Sequence, residues 1–479
     1  MVVYCFKRDL RILDNSALAH ALSSGREILL LYIYEPSLWS ESHYSERHKN
    51  FVVESLLNLQ EQLKRYDTKI LVVQEEAVAT LEELLKLGLT ELFSNEETGI
   101  AISYKRDLQV STFCSENNLA WHQFQCNGVL RGIKNRNNWS KKWYRYMTSQ
   151  QDHPNWDEAK LMKLSKVDAI SDRFKLLILC KKSHHFQMGG EHSGHKTMDD
   201  FFNNRVQYYS DYISKPEQSR IGCSRLSPYL SWGNLSIRQV YQRMKAEKEH
   251  SHHKRALNAF SSRLRWQSHF IQKFEQEPRQ EFEALNKGFL DMPQPLNEKY
   301  VNAWKEGQTG YPLVDASMRA VKETGYLNFR MRCMVTSFLY HHLFQHFTTG
   351  SDWLARQFLD WEAGIHYCQF QMQAALTGIN TVRIYNPTKN AKDHDSDAVF
   401  IKKYVPELKN LPSKYAIEPW LLEDDNDYNF HYGEDYPQRI IDMKQTRAHA
   451  LKMLYGYRKN DLAKIEKQRI LNTHAIKRK

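Results

Sequence analysis

The first 125 residues alternate short apolar runs with stretches of helical periodicity. Four runs rich in valine, isoleucine, leucine and aromatic residues have the length of buried strands, and they occupy residues 2–6, 28–34, 70–73 and 91–93. Amphipathic stretches lie between them, for example at 51–66 and 79–89. Because strand and helix patterns alternate at this spacing, residues 1–125 are predicted to form a Rossmann-like α/β domain with a parallel sheet.

The pattern changes twice further along the chain. Residues 126–195 are polar, lack a clear period and are predicted to form an interdomain linker. From residue 196 onward, apolar residues recur at intervals of three and four, and almost no alternation typical of strands is present. Residues 196–479 are therefore predicted to form an all-α domain, with helices expected at 198–211, 237–248, 255–275, 312–324 and 327–347.

The length of the chain, 479 residues, agrees with two domains, because single hydrophobic cores rarely grow this large. The longest apolar run, 28–34, is too short to cross a bilayer, and no pattern typical of a secretion signal is visible. We therefore expect a cytoplasmic protein with no membrane partner, and a monomer.

The charge of the chain is strongly basic, with 67 Lys and Arg residues against 56 Asp and Glu, a formal net charge of +11. Such an excess favours a polyanionic partner, because phosphate contacts provide most of the sequence-independent affinity for nucleic acid; an ordinary solvated surface is the alternative. Seven scattered cysteines without a Cys-x-x-Cys pair indicate neither a disulfide framework nor a zinc site. His192 and His195 have no evident third ligand, so no metal site is predicted.

The densest concentration of polar chemistry lies at 358–373 and continues into 377–387. Two acids, several amides and several aromatic residues stand there beside Ile365, Phe370 and Met372. An ordinary core helix does not need such polar density, whereas the wall of a buried polar ligand does, because each buried polar group requires a partner. We therefore predict a ligand site along this segment.

A second motif, 223–233, places serines and Arg225 just before a predicted helix with Pro228 in its first turn. Hydroxyls, free backbone N–H groups and a guanidinium at a helix start form an anion site. An ordinary helix cap without a ligand is the alternative.

Four motifs in this order, at 6–18, 224–234, 309–319 and 358–387, resemble those of the photolyase/cryptochrome family of flavoproteins. The resemblance extends from about residue 2 to Trp420 and implies an α/β antenna domain joined to a helical domain that binds FAD. A second, antenna chromophore of the folate or deazaflavin type is a further option. The residues that the resemblance assigns to FAD are Tyr209, Cys223, Ser224, Arg225, Leu226, Ser227, Gln267, Asn328, Arg332, Asp360, Glu362, His366 and Tyr367.

Within that set, Arg332 and Asp360 match a family pair beside the flavin ring, and Glu362 matches a second acid near its polar edge. A buried pair of this kind would stabilise a reduced, anionic flavin; a simple interhelical salt bridge is the alternative. Either His366 or Tyr367 matches the position that faces flavin atom N5, where bacterial photolyases have asparagine.

The resemblance also implies a cavity for a flipped dinucleotide, with aromatic walls and a basic rim. Trp266 matches the tryptophan that stacks on the lesion, and Trp266 and His366 are the expected catalytic residues. The expected substrate contacts are Arg263, Trp266, Arg330 and Met372. Four positions depart from the family: Arg263 stands for a glutamate, Gln267 for an arginine, Phe329 for an asparagine and Met372 for a second tryptophan.

The family's relay of three tryptophans also departs, because its two inner positions are Phe370 and Phe347, and phenylalanine does not readily give up an electron. Trp353 and Trp361 are eight residues apart and would share one face of a continuous helix. With Tyr326 or Tyr367 they would form a substitute path; ordinary core aromatics are the alternative.

At the start of the chain, Arg8, Asp9 and Arg11 follow the first predicted strand. They are predicted to shape an interdomain contact or the cleft of a second chromophore. No Gly-x-Gly-x-x-Gly follows the strand, so an ordinary dinucleotide site is not indicated.

These features predict a light-driven DNA-repair flavoprotein, a deoxyribodipyrimidine photolyase that acts on UV-damaged DNA. It would split cyclobutane pyrimidine dimers by electron transfer from reduced FAD. The alternatives are a cryptochrome-type blue-light receptor, favoured by the departures at the lesion pocket, and a (6-4) photolyase, for which His366 would supply acid–base chemistry. A non-photochemical nucleotide-binding protein is harder to reconcile with the acidic segment.

Overall fold

The computed structural model of the chain describes residues 1–182, 184–423 and 426–476. Its amino-terminal part contains a five-stranded parallel sheet in the order β3-β2-β1-β4-β5. Val2 pairs with Ile28 on one side of the central strand and with Glu91 on the other. The strands are β1 (Val2–Phe6), β2 (Ile28–Ile33), β3 (Ile70–Val73), β4 (Glu91–Asn95) and β5 (Ala120–Phe124).

Helices cover both faces of this sheet, which explains why β1 to β4 are nearly continuous apolar runs. The α/β prediction for this part of the chain is confirmed. The fifth strand was not predicted, because β5 lies at the edge and its residues are only partly buried, so its sequence is mixed. The helices here are α1 (Ser16–Leu22), α2 (Pro36–Trp39), α3 (Glu46–Leu63), α4 (Ala77–Lys86) and α5 (Ala101–Glu116).

The strand order changes direction at β1, with β2 and β3 on one side and β4 and β5 on the other. The loops that follow β1 and β4 therefore diverge and open a cleft at the carboxyl edge of the sheet, where α/β proteins bind ligands. Lys7 and Arg8 enter this cleft from β1, and Glu97 enters it from the loop after β4.

The described residues of the segment predicted as a linker, 126–195, include α6 (Trp139–Thr148), α7 (Leu164–Ser171) and the start of a further helix at Glu191. Trp139, Trp143 and Met147 recur every four residues along α6 and are fully buried. This apolar face makes contact with the helical part of the chain.

Beyond β5 the described residues form helices and loops with isolated bridges but no strand, as expected. The predicted helix at 327–347 is interrupted, because a π-helical turn, Phe338–His342, follows α16. In the described ranges no helix is long and apolar enough to cross a membrane. The remaining helices are α8 (Glu191–Asp200), α9 (Tyr209–Tyr212), α10 (Ser219–Gly222), α11 (Ser227–Ser231), α12 (Ile237–His250), α13 (Lys254–Gln276), α14 (Glu298–Glu306), α15 (Pro312–Thr324), α16 (Phe329–Ser337), α17 (Thr348–Gln357), α18 (Ala363–Gln373), α19 (Pro387–His394), α20 (Val399–Tyr404), α21 (Ser413–Ile417), α22 (Met443–Arg458) and α23 (Asp461–His474).

Helices α13 and α18 pack against each other at very short range. The reason is Gly364 in the first turn of α18, where an added Cβ would lie only 2.6 Å from the Cα of Ile271. A glycine is therefore required for this approach, which fixes the start of α18.

The loop after β1 is anchored to the helical part by buried polar contacts. Asp14 forms a buried ion pair with Arg238 of α12. Glu191, at the start of α8, accepts hydrogen bonds from the N–H groups of Ile12 and Leu13, both at 3.0 Å. These contacts hold the loop, and with it Arg8, against the helical part.

Candidate functional site

A cavity of about 430 Å³ lies among α16, α18 and the segment that joins α17 to α18. Four predicted site residues line this cavity: Arg332 comes from α16, Asp360 and Glu362 from the joining segment, and His366 from α18. The structure brings these four together.

Arg332 and Asp360 form an ion pair in the cavity wall. The Nη2 atom of Arg332 donates to both carboxylate oxygens at 2.8 Å, and its Nε atom donates to the carbonyl of Leu327 at 2.9 Å. The guanidinium also lies 3.9 Å from the centre of the Phe358 ring. The Asp360 carboxylate, the Leu327 carbonyl and the Phe358 ring together fix the orientation of this guanidinium. Its Nη1 atom has no hydrogen-bond partner among the described residues.

Glu362 is the N-cap of α18 and also contacts Arg8 of the α/β part. Its Oε1 atom accepts from the N–H of Gly364 at 3.3 Å, as an N-cap, and its Oε2 atom lies 3.4 Å from Nη2 of Arg8. Burial raises the pKa of Glu362, and the Arg8 guanidinium opposes this shift. Arg8 thus supplies the positive charge behind this wall from the α/β part.

His366 and Tyr367 are adjacent on α18 but have different surroundings. The Nε2 atom of His366 lies 2.9 Å from the carbonyl oxygen of Ser351, and burial lowers its pKa to about 4. Because a carbonyl only accepts, Nε2 carries the hydrogen, and Nδ1 is left as an acceptor on a ring that lines the cavity. Tyr367 instead donates to Asp352 at 3.2 Å and stacks on Phe274, so the structure places it away from this wall.

The serine loop, 223–227, leads into the short helix α11. Arg225 has a left-handed backbone with φ +61°, which is uncommon for a non-glycine residue. Its guanidinium lies 3.6 Å from the centre of the Tyr326 ring and donates to Oε1 of Gln187 at 2.8 Å. Arg205 donates to the carbonyl oxygens of Cys223 at 2.5 Å and Ser224 at 3.2 Å. Arg205 was not among the residues assigned to FAD from the sequence. Its position just ahead of Tyr209 was the available signal for a role in this loop.

Two other residues assigned to FAD, Asn328 and Tyr209, have mainly structural contacts. Asn328 caps α16, where its Oδ1 accepts from the N–H of Met331 at 3.0 Å and its Nδ2 donates to the carbonyl of Ile213 at 3.2 Å. Tyr209 is buried against Phe201 and Phe260. Leu226 is buried in the core, whereas Ser227 and Gln267 are half-buried.

The expected substrate residues lie at or near the surface. Trp266 is 43% exposed on α13 and packs against His269 and Phe270, beside a small separate cavity that it shares with Arg265. Phe329 is also 43% exposed. Of the remaining three, Arg263 is exposed, Arg330 donates to the Ser214 hydroxyl at 3.2 Å, and Met372 is half-buried on α18.

The continuous helix that would place Trp353 and Trp361 on one face is not present. Helix α17 ends at Gln357 and α18 begins at Ala363, so Trp361 lies in the segment between them. Trp353 packs against Trp304, with ring centroids 5.7 Å apart, whereas Trp361 lines the cavity.

A second cavity, of about 700 Å³, occupies the cleft at the switch point of the sheet. Aromatic side chains form much of its wall, and Arg106 of α5 pairs there with Glu35, Glu97 and Asp107. The sequence analysis missed this charged cluster. A usable signal was the position of Arg106 one turn before the buried Val110.

Comparison with known proteins shows which family has this fold and this site. A family model described as DNA photolyase matches residues 2–159, and one described as the FAD binding domain of DNA photolyase matches residues 260–455. The chain belongs to the photolyase/cryptochrome family.

Among relatives of this family, the chain is 26% identical to deoxyribodipyrimidine photo-lyase of Vibrio cholerae, over 94% of this chain and 98% of the relative. It is 25% identical to cryptochrome DASH of Synechocystis, over 93% of this chain and 96% of the relative. The fold is similar to a bacterial class III photolyase from Agrobacterium tumefaciens, with a TM-score of 0.82 and 23% identity over 96% of this chain and 98% of that one.

The helical part is thus a photolyase-type FAD-binding domain, and the residues of the 430 Å³ cavity suit a flavin ring. The ring needs donors for its carbonyl oxygens and partners for its nitrogens. Arg332 supplies donors, Asp360 and Glu362 supply carboxylates, and His366 supplies an acceptor. The Nε1–H of Trp361, a residue that lines this cavity, is buried without a partner among the described residues.

Proposed function

We propose that the protein is a DNA photolyase that splits cyclobutane pyrimidine dimers in UV-damaged DNA by light-driven electron transfer from reduced FAD. The observation that carries this proposal is the convergence of Arg332, Asp360, Glu362 and His366 on one cavity of a photolyase-type FAD-binding domain. Relatives named deoxyribodipyrimidine photo-lyase support it.

The bound FAD would supply the electron and the absorption of light, and the protein residues hold and tune it. Arg332 places positive charge beside the ring, which favours a reduced, anionic flavin, and Asp360 fixes the guanidinium. His366 is neutral and offers only an acceptor toward the cavity. An acceptor favours a flavin whose facing nitrogen carries hydrogen, which is the reduced form. We infer that His366, rather than Tyr367, fills the position next to N5.

DNA binding is supported by charge and by exposed aromatic groups. The net charge of +11 favours a phosphate backbone, and Trp266 with Phe329 offers exposed rings on which a flipped base can stack. Arg263 and Arg330 supply positive charge on the same two helices. We therefore propose these four, with Met372, as the substrate contacts.

The second candidate is a blue-light receptor of the cryptochrome type. It is favoured by Arg263 and Phe329, which stand where the family's repair enzymes are expected to have a glutamate and an asparagine, and by the relative named cryptochrome DASH. A (6-4) photolyase is less well supported. Because burial lowers the pKa of His366 to about 4, this ring is neutral at neutral pH, and its one N–H is held by the Ser351 carbonyl, so it is poorly suited to act as a general acid.

The test is illumination of the purified protein, loaded with FAD and chemically reduced, together with an oligonucleotide that contains one thymine dimer. We expect restored thymines in the light and none in the dark, with little change to an oligonucleotide that contains a (6-4) product. Bound flavin without restored thymines from either lesion would favour the receptor.

A pair of variants tests the substrate surface. Trp266→Ala should retain FAD and weaken binding to dimer-containing DNA by about 1–3 kcal/mol, the usual contribution of one aromatic–base stack. Tyr455→Ala is the matched control, because Tyr455 is 47% exposed on α22. Equal DNA affinities for the two variants would contradict the role of Trp266.

We also propose that the 700 Å³ cavity at the switch point receives a second chromophore that passes energy to FAD. Aromatic walls suit a planar ligand, and the charged groups of Lys7 and Arg106, each paired with a carboxylate in the same wall, offer polar partners at its edge. Chromatography of the pigments released from the denatured protein should yield a second absorbing species besides FAD. FAD alone, from protein purified from its own cells, would contradict this assignment.

A further inference from the structure

Four aromatic residues form a continuous chain from the wall of the 430 Å³ cavity to the surface of the α/β part. Trp361, in the cavity wall, stands edge-on to Tyr44 with ring centroids 5.2 Å apart. Trp39 follows at 4.8 Å from Tyr44, and Tyr34 stacks on Trp39 at 4.7 Å. Trp361 and Tyr44 are buried, whereas Trp39 and Tyr34 are partly exposed. We call these four residues the aromatic chain.

Trp361 is the only tryptophan or tyrosine among the described residues that line this cavity. The other rings in the wall belong to Phe358, His366 and Phe370, which are much harder to oxidise than an indole. Phe347, at the second inner position of the relay expected from the resemblance, is phenylalanine too and is fully buried. Among the described residues in the cavity wall, Trp361 is therefore the side chain that gives up an electron most readily.

We propose that Trp361 donates an electron to photoexcited, oxidised flavin and is refilled from Trp39 through Tyr44, so that the reducing path runs into the α/β part. The proposal rests on the proposed binding of FAD in this cavity. It names Trp39, which is partly exposed and also lines the 700 Å³ cavity, as the residue at which the path ends.

The electrons balance as follows. One electron moves from the indole of Trp361 to the flavin, and one moves from Trp39 to the oxidised Trp361. The oxidised Trp39 loses its N–H proton to water and is restored by a thiol, which gives up an electron and a proton. Two such turns oxidise two thiols to one disulfide and give the flavin two electrons, while it takes up one proton from solvent.

The charges around Trp361 permit this step. The Arg8 guanidinium lies 5.6 Å from the Trp361 ring and 4.9 Å from that of Trp232, and alone it would oppose a positive charge on either ring. Glu362, at 3.4 Å from Arg8, offsets that charge.

The same surroundings decide which rings hold the charge. Burial raises the pKa of Tyr44, so its oxidation with proton loss is unfavourable and it serves as a bridge. Trp232 stacks on Trp39 at 6.0 Å but is buried, which leaves Trp39 as the tryptophan that solvent reaches.

The experiment measures photoreduction of the FAD-loaded, oxidised protein under blue light without oxygen and with dithiothreitol as the thiol. The decay of the visible absorption of oxidised flavin gives the rate. We expect Trp361→Phe and Trp39→Phe each to slow it by about tenfold or more. Trp353→Phe is the matched control, because Trp353 is a partly buried indole packed on Trp304, and it should match wild type.

Further readouts separate this proposal from the proposed function. Flavin content and reduction by dithionite should be unchanged in Trp39→Phe, and the transient absorption of a neutral tryptophan radical should appear in wild type but not in that variant. A wild-type rate in Trp39→Phe, or no photoreduction in wild type that has FAD bound, would overturn the relay and leave repair by chemically reduced protein untouched. Failure of wild type to bind FAD would instead overturn the proposed function.

Discussion

The substitution Asp360→Asn tests the pair on which the flavin site depends. The asparagine keeps the size of the side chain and removes its charge. In the wild type the Asp360 carboxylate accepts two 2.8 Å hydrogen bonds from Arg332 and is 7% exposed. After the substitution, Arg332 keeps its bond to the Leu327 carbonyl and its contact with Phe358 but loses the negative charge and one of the two acceptors that orient its guanidinium.

The expected magnitude follows from these contacts. Hydrogen bonds between charged groups contribute about 1.5–3 kcal/mol, and breaking a fully buried pair costs about 3–5 kcal/mol. Because the Arg332 side chain is 21% exposed, water can solvate it when the carboxylate is lost, so we use the lower range. The free energy of unfolding of flavin-free protein should fall by about 1.5–3 kcal/mol. A similar loss in the FAD site would raise the dissociation constant about 10- to 150-fold.

Urea unfolding of the flavin-free protein and fluorescence titration with FAD measure these two quantities. The matched control is Glu407→Gln, because Arg319 donates to both oxygens of Glu407 at 2.8 Å in the same helical part, with side chains 22% and 31% exposed. This pair lies outside the cavity, so FAD affinity should not change. If Asp360→Asn loses stability but binds FAD as tightly as the control, the pair is a simple interhelical salt bridge and the reasoning about the flavin is refuted.

Three further outcomes are expected. Gly364→Ala should lower the unfolding free energy by about 1–3 kcal/mol, because the new Cβ would lie 2.6 Å from the Ile271 backbone. The control is Gly456→Ala on α22, where the space is open, and it should be neutral or stabilising. Equal unfolding free energies for the two variants would contradict the packing argument. Burial opposes the ionisation of Glu277, yet hydrogen bonds from His474 and Arg469 lower its pKa to about 2. The contribution of the ionised Glu277 to the unfolding free energy is therefore complete above about pH 4.5 and is lost as pH falls toward 2. Glu277→Gln should therefore be less stable than wild type by roughly 2 kcal/mol at neutral pH, after allowance for solvent screening. In urea titrations below about pH 4.5, the difference in unfolding free energy between the two proteins should become smaller. A difference that does not change with pH would be inconsistent with this linkage. His366→Phe removes the acceptor beside the flavin and should weaken the preference for reduced over oxidised FAD by up to about tenfold. A dye-coupled titration should show this change as a more negative reduction potential. An unchanged potential would exclude this role for His366.

Periodicity alone was sufficient for much of the fold. The predicted strands at 2–6 and 70–73 coincide with β1 and β3, because strands buried on both faces are short, continuous runs of β-branched and other apolar residues. Strand β5 escaped prediction, because an edge strand is held mainly by backbone hydrogen bonds to one neighbour and its partly exposed side chains carry no clear period.

Part of the site was also within reach of sequence. The polar density around 358–373 pointed to a buried ligand wall, and four of the residues assigned there or by resemblance line one cavity. Adjacent positions on a helix point about 100° apart, so the choice between His366 and Tyr367 required the packing of α18 on α13. The contacts of Arg8 with Glu362, across more than 350 residues, had no signal in local sequence.

By itself the sequence determined the order of strands and helices, the net charge and the segments rich in chemistry, because these depend on neighbours along the chain. Only the tertiary structure decided which of those side chains meet. The gap between α17 and α18 places Trp361 in the cavity wall, and the cleft at the switch point of the sheet brings Arg8, Tyr44 and Trp39 together behind it. Such contacts depend on how distant elements pack, and no periodicity encodes the relative position of surfaces hundreds of residues apart.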